Sequence, residues 1–228
     1  MPAIDKGEVL RYLGYKGQAL EPDLSALIDQ CIASCMQTAT PRVITRRFAC
    51  AAEGEDGVRV LGAALFLRGR DICRHLEGCG DCVLMAATLG VATDNLIKRY
   101  ESTDLTRSVL LDACATALIE SVCDQAEEAV RRQAEEEGKG ITSRYSPGYG
   151  DLPLDTQPGL TAVLDTPRRI GLCCSEAHLL IPRKSVTAVI GIRAGSSLPS
   201  PRRGCGGRCA DCGLADCLYR KEENRHGN

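Results

Sequence analysis

From position 106 to 137, small and apolar residues recur at three- and four-residue steps: Leu110, Cys114, Ala117, Leu118, Ser121, Val122, Ala126, Ala129 and Val130. Glu127, Glu128, Arg131 and Arg132 fall on the opposite, wet side of that pattern. Gly138 and Gly140 end the run. This is the strongest helix signal in the chain, and any fold must accommodate it.

Around it the signals alternate. A short helix is expected over 8–15, closed by Gly17. A second begins at Pro22, where proline suits a first helical position, and puts Leu24, Leu27, Ile28, Cys31 and Cys35 on one buried stripe. Alternation from 42 to 50 sets Ile44, Phe48 and Cys50 on one side of a strand, and another strand is expected over 58–61. A short helix at 70–76 precedes the apolar run 82–90, which reads as a strand buried on both faces that turns into a helix. Beyond the long helix come a Pro/Gly-rich loop at 144–153, a short helix near 160–164, and strand-like segments at 170–174 and 185–192. Helices and strands alternating at unequal spacing indicate an α+β domain over 1–195. From 196 to 228 Gly, Pro, Ser, Arg and Cys dominate, which marks a Cys-rich tail or small metal-stabilised appendage.

Aromatic residues make up only 4% of the 228 residues, Trp is absent and the net charge is -2. A base-stacking, positively charged nucleic-acid surface is therefore not expected. No run of about 18 apolar residues suggests a membrane span, and the N-terminus lacks the basic-then-apolar layout of a secretion signal. A cytoplasmic location is expected, so the 14 cysteines should mostly be reduced thiols.

Residues 144–149 read Arg-Tyr-Ser-Pro-Gly-Tyr. Pro147 fixes its own φ and biases Ser146 towards extended backbone, while Gly148 permits conformations and close approaches closed to other residues. Beside so rigid a loop, a ligand meets backbone amides and carbonyls, an arginine fork matched to a carboxylate, and a tyrosine with a flat face and a hydroxyl. S-adenosylmethionine, with its amino-acid carboxylate and adenine, suits these parts. On composition alone, a well-made surface turn suits them too.

Arg144-x-Ser146-Pro147-Gly148-Tyr149 resembles the Arg-Pro-Ala-Pro-Gly-Tyr signature with which the activation domain of cobalamin-dependent methionine synthase contacts S-adenosylmethionine. Glu120, on the long helix, resembles the glutamate that the family uses on the helix before its ligand loop. The segment from Ser175 to Ala188, ending in Pro182-Arg183-Lys184-Ser185-Val186-Thr187-Ala188, is similar to the family's second ligand-contacting segment, which leads into the last strand. Arg11-Tyr12-Leu13-Gly14-Tyr15 and Ala87-Thr88-Leu89-Gly90 resemble segments of short, stand-alone members. The likeness spans nearly all of 4–192. Two departures stand out: Tyr145 occupies the place of a proline, and Val186-Thr187 replace aromatic residues of the full-length enzymes.

The resemblance implies a methionine synthase activation domain-like fold, a mixed or antiparallel sheet flanked by helices. It implies that the chain binds S-adenosylmethionine and presents its methyl group for reductive remethylation of cob(II)alamin. By the same resemblance Arg144 takes the ligand carboxylate, Glu120 its ammonium group, and the backbone at Ser146 and Gly148 makes close contacts. Tyr149 closes over the ligand or faces the corrin, and Val186 and Thr187 complete the set. No folate barrel, zinc-bearing homocysteine barrel or Asp-x-His-x-x-Gly cobalt-ligand motif is present. Action in trans is therefore expected, on a cobalamin-binding methionine synthase subunit, with an electron donor such as flavodoxin or ferredoxin. The alternatives are reactivation of another corrinoid methyltransferase, or a non-catalytic metal-binding scaffold.

Cys205-x3-Cys209-x2-Cys212-x4-Cys217 is the densest cysteine cluster, set among glycines. Four thiolates at this spacing suit zinc or an iron-sulfur cluster, between which spacing does not decide; a reduced, metal-free tail is the alternative, but four cysteines within thirteen residues seldom serve packing. Cys73, His75, Cys79 and Cys82 form a weaker cluster that core packing explains better than metal. Packing also accounts for Cys31, Cys35, Cys114 and Cys123 in their helices. Cys173 and Cys174, adjacent on a strand, would face opposite ways. His178 reads as a ligand, a proton donor or simply a hydrogen-bonded side chain.

Overall fold

The computed structural model describes residues 2–195. The chain begins with helices α1 (Lys6–Tyr12) and α2 (Pro22–Thr38), then strands β1 (Arg42–Ala52), β2 (Gly57–Val60) and β3 (Leu65–Arg68). Helix α3 (Arg70–His75), strand β4 (Cys79–Thr88), and helices α4 (Val91–Glu101) and α5 (Leu105–Glu136) follow. After β5 (Lys139–Ile141) come helices α6 (Gln157–Leu164) and α7 (Thr166–Ile170), and strands β6 (Cys173–Cys174), β7 (Leu180–Ile181) and β8 (Ser185–Ala194). Six strands pair antiparallel in the order β3-β2-β1-β4-β8-β5, and β6 and β7 form a separate antiparallel ribbon.

The central strand β4 explains the layering. From Cys82 to Thr88 every residue is buried, because both faces of the sheet are covered. Val83, Met85 and Ala87 join a core beneath α1, α2, α4 and α5, with Ala188, Ile190 and Ile192 of β8 beside them. Cys82, Leu84 and Ala86 point the other way, into a core with β2, β3, α3, α6 and α7. The expectation of an α+β domain with an antiparallel sheet flanked by helices thus matches the architecture.

Local chemistry sets the element ends. Asp5 caps α1 by accepting from the amides of Gly7 and Glu8 at 2.6 and 3.2 Å, so the helix begins at Lys6, before the expected start, and finishes at Tyr12. Asp104 caps α5 through the Arg107 amide at 2.9 Å, and Gly138, with φ of 68°, follows its end.

Two expectations need correction, and two strands were not foreseen. The segment expected as a strand over 170–174 is mostly not one: Ile170 ends α7, whose first turn carries a proline, and only Cys173 and Cys174 pair with β7. Glu127 and Arg131, assigned to the wet face of α5, turn inward with side-chain exposures of 16% and 18%, because each finds an opposite charge there. Strands β3 and β5 carry no signal of their own. No helix among the described residues is long and apolar enough to cross a membrane.

Candidate functional site

The short β5 creates the site. It covers only the last part of β8, with Ile141 opposite Ile192, and the chain then makes a single further bridge from Tyr145 to Val189. Past that bridge the chain turns away, and residues 185–187 of β8 have no strand on that side. Since Val189 uses its amide and carbonyl on Tyr145, ladder alternation aims those of Thr187 at the same open edge. A cleft of about 290 Å³ opens there.

Every residue expected to contact a ligand lies on its wall: Glu120, Arg144, Ser146, Gly148, Tyr149, Val186 and Thr187. Pro147, Gln157, Leu180 and Ser185 complete it. Val186 and Thr187 leave opposite faces of β8, Val186 packing towards the α5 core while the buried Thr187 hydroxyl donates to Gln157 Oε1. Sequence reasoning missed Gln157, whose partner is 30 residues away and leaves no local pattern.

Arg144 is the electrostatic centre. Its side chain is 15% exposed and faces three carboxylates on α5: Glu120 at 3.1 Å, Asp124 at 3.0 Å and Glu127 at 3.6 Å. Burial pulls the guanidinium pKa down, and the surrounding acidic groups more than offset it, so the pKa stays above its ordinary value. Glu120 and Asp124 both accept from Nη2. Nη1, by contrast, is buried and has no hydrogen-bond partner among the described residues. Asp124 and Glu127 recur on the helix at near-helical spacing from Glu120, a signal that the sequence carried unread. Beneath them Cys123 is pushed up to about 12 by burial and stays a neutral thiol.

The loop satisfies most of its own backbone. Tyr149 N–H donates to the Ser146 carbonyl at 3.1 Å, closing a turn with Pro147 second and Gly148 third, at φ of 94°, the pattern of a type II turn. The Gly148 amide donates to Leu152 O at 2.8 Å. The Gly148 amide is therefore used within the loop. Asp151 ties the loop to α3, accepting from the amides of Arg70 and Asp71 at 2.7 and 3.1 Å, where Gly69 at the helix start has no side chain to do so.

A second, larger cleft of about 570 Å³ lies between α1 and α5 and shares Glu120 and Arg144 with the first. Asp5, Glu8, Asp124 and Glu128 make its wall acidic, and Arg11 and Arg132 partly balance them. On the far side of the site Lys184 donates to Asp112 and Thr116 of α5 at 2.9 and 2.8 Å, pinning the start of β8.

Among the described residues no three His, Cys, Asp or Glu side chains are placed to hold a metal ion, and the cysteines are free thiols. Cys31, Cys35, Cys114 and Cys123 are buried, as their helix positions suggest. Cys173 is exposed and Cys174 half-buried. His178 takes a positive φ of 60°, and its Nδ1 is buried without a partner among the described residues. Cys205, Cys209, Cys212 and Cys217 lie outside the described residues.

No protein-family model and no curated protein matches the chain. Among solved structures it is similar to the crystal structure of the MetH reactivation domain bound to AdoHcy, with a TM-score of 0.64 and 16% sequence identity, covering 86% of this chain and 76% of that one. At that identity the likeness is one of fold: the described residues adopt the helix and antiparallel-sheet architecture of the MetH reactivation domain.

Proposed function

We propose that the chain binds S-adenosylmethionine in the cleft at Arg144 and presents its methyl group, in trans, for reductive remethylation of cob(II)alamin on a partner methionine synthase. Arg144 Nη1 carries this reading. It is a buried guanidinium nitrogen without a partner, on the wall of a cleft, in a fold shared with a domain solved with AdoHcy. A buried donor left over in this way calls for an acceptor, and the carboxylate of an amino-acid group supplies one with charge.

The rest of the wall suits the remainder of the ligand. Glu120, beside the arginine, takes the ammonium group. The open edge at Thr187 offers polar backbone to the adenine, and Tyr149 offers a ring. Positioning is the chain's whole contribution, because breaking the bond between sulfur and methyl carbon moves no proton and needs no general base. S-adenosylhomocysteine stays in the cleft. The partner's cobalamin, given an electron by a flavodoxin- or ferredoxin-type donor, supplies the methyl acceptor. We read Cys205, Cys209, Cys212 and Cys217 as a zinc or iron-sulfur site, for which metal analysis and a visible spectrum after anaerobic purification are the test.

The activity is tested by mixing the full chain with a cobalamin-loaded methionine synthase that lacks its own activation domain, a reductant, and S-adenosylmethionine labelled in the methyl group. Label should pass to the corrinoid only when this chain is present. Equal transfer with and without the chain contradicts the proposal.

A further inference from the structure

We infer that Tyr145, which stands where the resembling signature has proline, is a positioning residue that fixes the ligand loop to β8 and sets the place of Tyr149 over the cleft. The inference deepens the reading of the cleft as an S-adenosylmethionine site and rests on it for its effect on affinity.

Three separate attachments converge on this residue. Its amide donates to Val189 O at 2.9 Å and its carbonyl accepts from Val189 N at 2.8 Å, a complete antiparallel bridge. Proline has no N–H and could make only half of it. The loop is thus held to the strand that forms the other wall of the cleft, one residue after Arg144.

The ring makes the second attachment. It packs against His75 of α3 with ring centroids 4.8 Å apart, and meets the Tyr149 ring edge-on at 6.3 Å. His75 is itself fixed, because its Nε2 donates to the Ser143 carbonyl at 2.8 Å. Residues 143 and 145 are therefore clamped by one imidazole on either side of Arg144.

The hydroxyl makes the third, donating to the Tyr149 carbonyl at 3.2 Å. It occupies space that only glycine at position 150 leaves open: a Cβ there would collide with the Tyr145 hydroxyl and the Asp71 carboxylate, and Gly150 has φ of 51°. Tyr149 is 48% exposed at the cleft. Tyr145 thus meets Tyr149 at both its ring and its carbonyl, and so sets where the ring stands.

The experiment measures S-adenosylmethionine affinity by calorimetry for the full chain, Tyr145→Phe, Tyr149→Ala and the double variant. It adds the ring NMR resonances of Tyr149 in protein without added ligand. Phenylalanine keeps the bridge and the ring packing and removes only the hydroxyl. Its loss should weaken binding about 2- to 10-fold in the wild-type background and have no effect where Tyr149 is already alanine. Without ligand, Tyr145→Phe should shift the Tyr149 ring resonances. Equal losses in both backgrounds overturn the inference, and so do unshifted resonances. Shifted resonances in a chain that binds no S-adenosylmethionine refute the ligand reading and uphold the positioning role.

Discussion

Glu120 and Asp124, one helical turn apart on α5, hold the same nitrogen of Arg144, at 3.1 and 3.0 Å. Two acceptors saturate Nη2 and leave Nη1 as the group with capacity to spare. The relationship also ties stability to the site, because Arg144 is what allows acidic side chains to face one another on one helix.

Arg144→Met should therefore destabilise the chain by about 1–3 kcal/mol at neutral pH, since it leaves Glu120, Asp124 and the half-buried Glu127 without their shared cation. Urea denaturation at neutral pH checks this.

Burial raises the Glu127 carboxyl above the usual 4.5, although Arg144 and Arg131 pull it down. A carboxyl raised in the folded state binds its proton more tightly there than in the unfolded chain, so ionising it costs stability as pH climbs out of the carboxylate range. Glu127→Gln lacks that titration. Its stability relative to wild type should increase between about pH 4 and pH 7, and a difference that does not change with pH contradicts this.

His75 gives a slope of opposite sign. Burial holds its pKa below 6.5, with the Ser143 carbonyl only partly offsetting this. As pH falls below 6.5 the unfolded chain takes up the proton first, so stability present above that value is lost on the way down. His75→Gln keeps a donor for Ser143 and should remove that part of the pH dependence, which thermal unfolding at a series of pH values can follow.

Asp151 couples the loop at 144–153 to α3 through the amides of Arg70 and Asp71. Its replacement by alanine removes a helix cap as well as a loop tether, and should cost about 0.5–2 kcal/mol in denaturant titrations. Because the same change frees the loop after Tyr149, S-adenosylmethionine affinity should fall with it, whereas an unchanged affinity would show that the tether does not reach the cleft.

Much of this was legible in the sequence for identifiable reasons. The period of α5 and the unbroken apolar run of β4 are long enough to average out local exceptions, and β4 is continuous because it faces two cores. Residues 120, 144, 146–149 and 185–187, which the resemblance picked out along the chain, line one cleft. What escaped is what depends on distant partners. Strand β5 has three residues, too few for any alternation, and β3 has four. Gln157 matters only because Thr187 lies over it, and Glu127 turns inward only because Arg144 waits there. Ile170, apolar beside a Gly-Leu pair, looks like a strand start until Pro167 is seen to open a single helical turn.

If Arg144 recognises the amino-acid end of S-adenosylmethionine, as proposed, its fork should be needed for binding. Calorimetric titration of S-adenosylmethionine and of adenosine into the wild-type chain and into Arg144→Lys is the test. Lysine keeps the charge and gives up the fork. S-adenosylmethionine should bind the wild type and lose about 10-fold or more in Arg144→Lys, while adenosine, which has no amino-acid group, should bind both weakly and alike. Equal S-adenosylmethionine affinity in the two proteins, or adenosine bound as tightly as S-adenosylmethionine, would contradict the account.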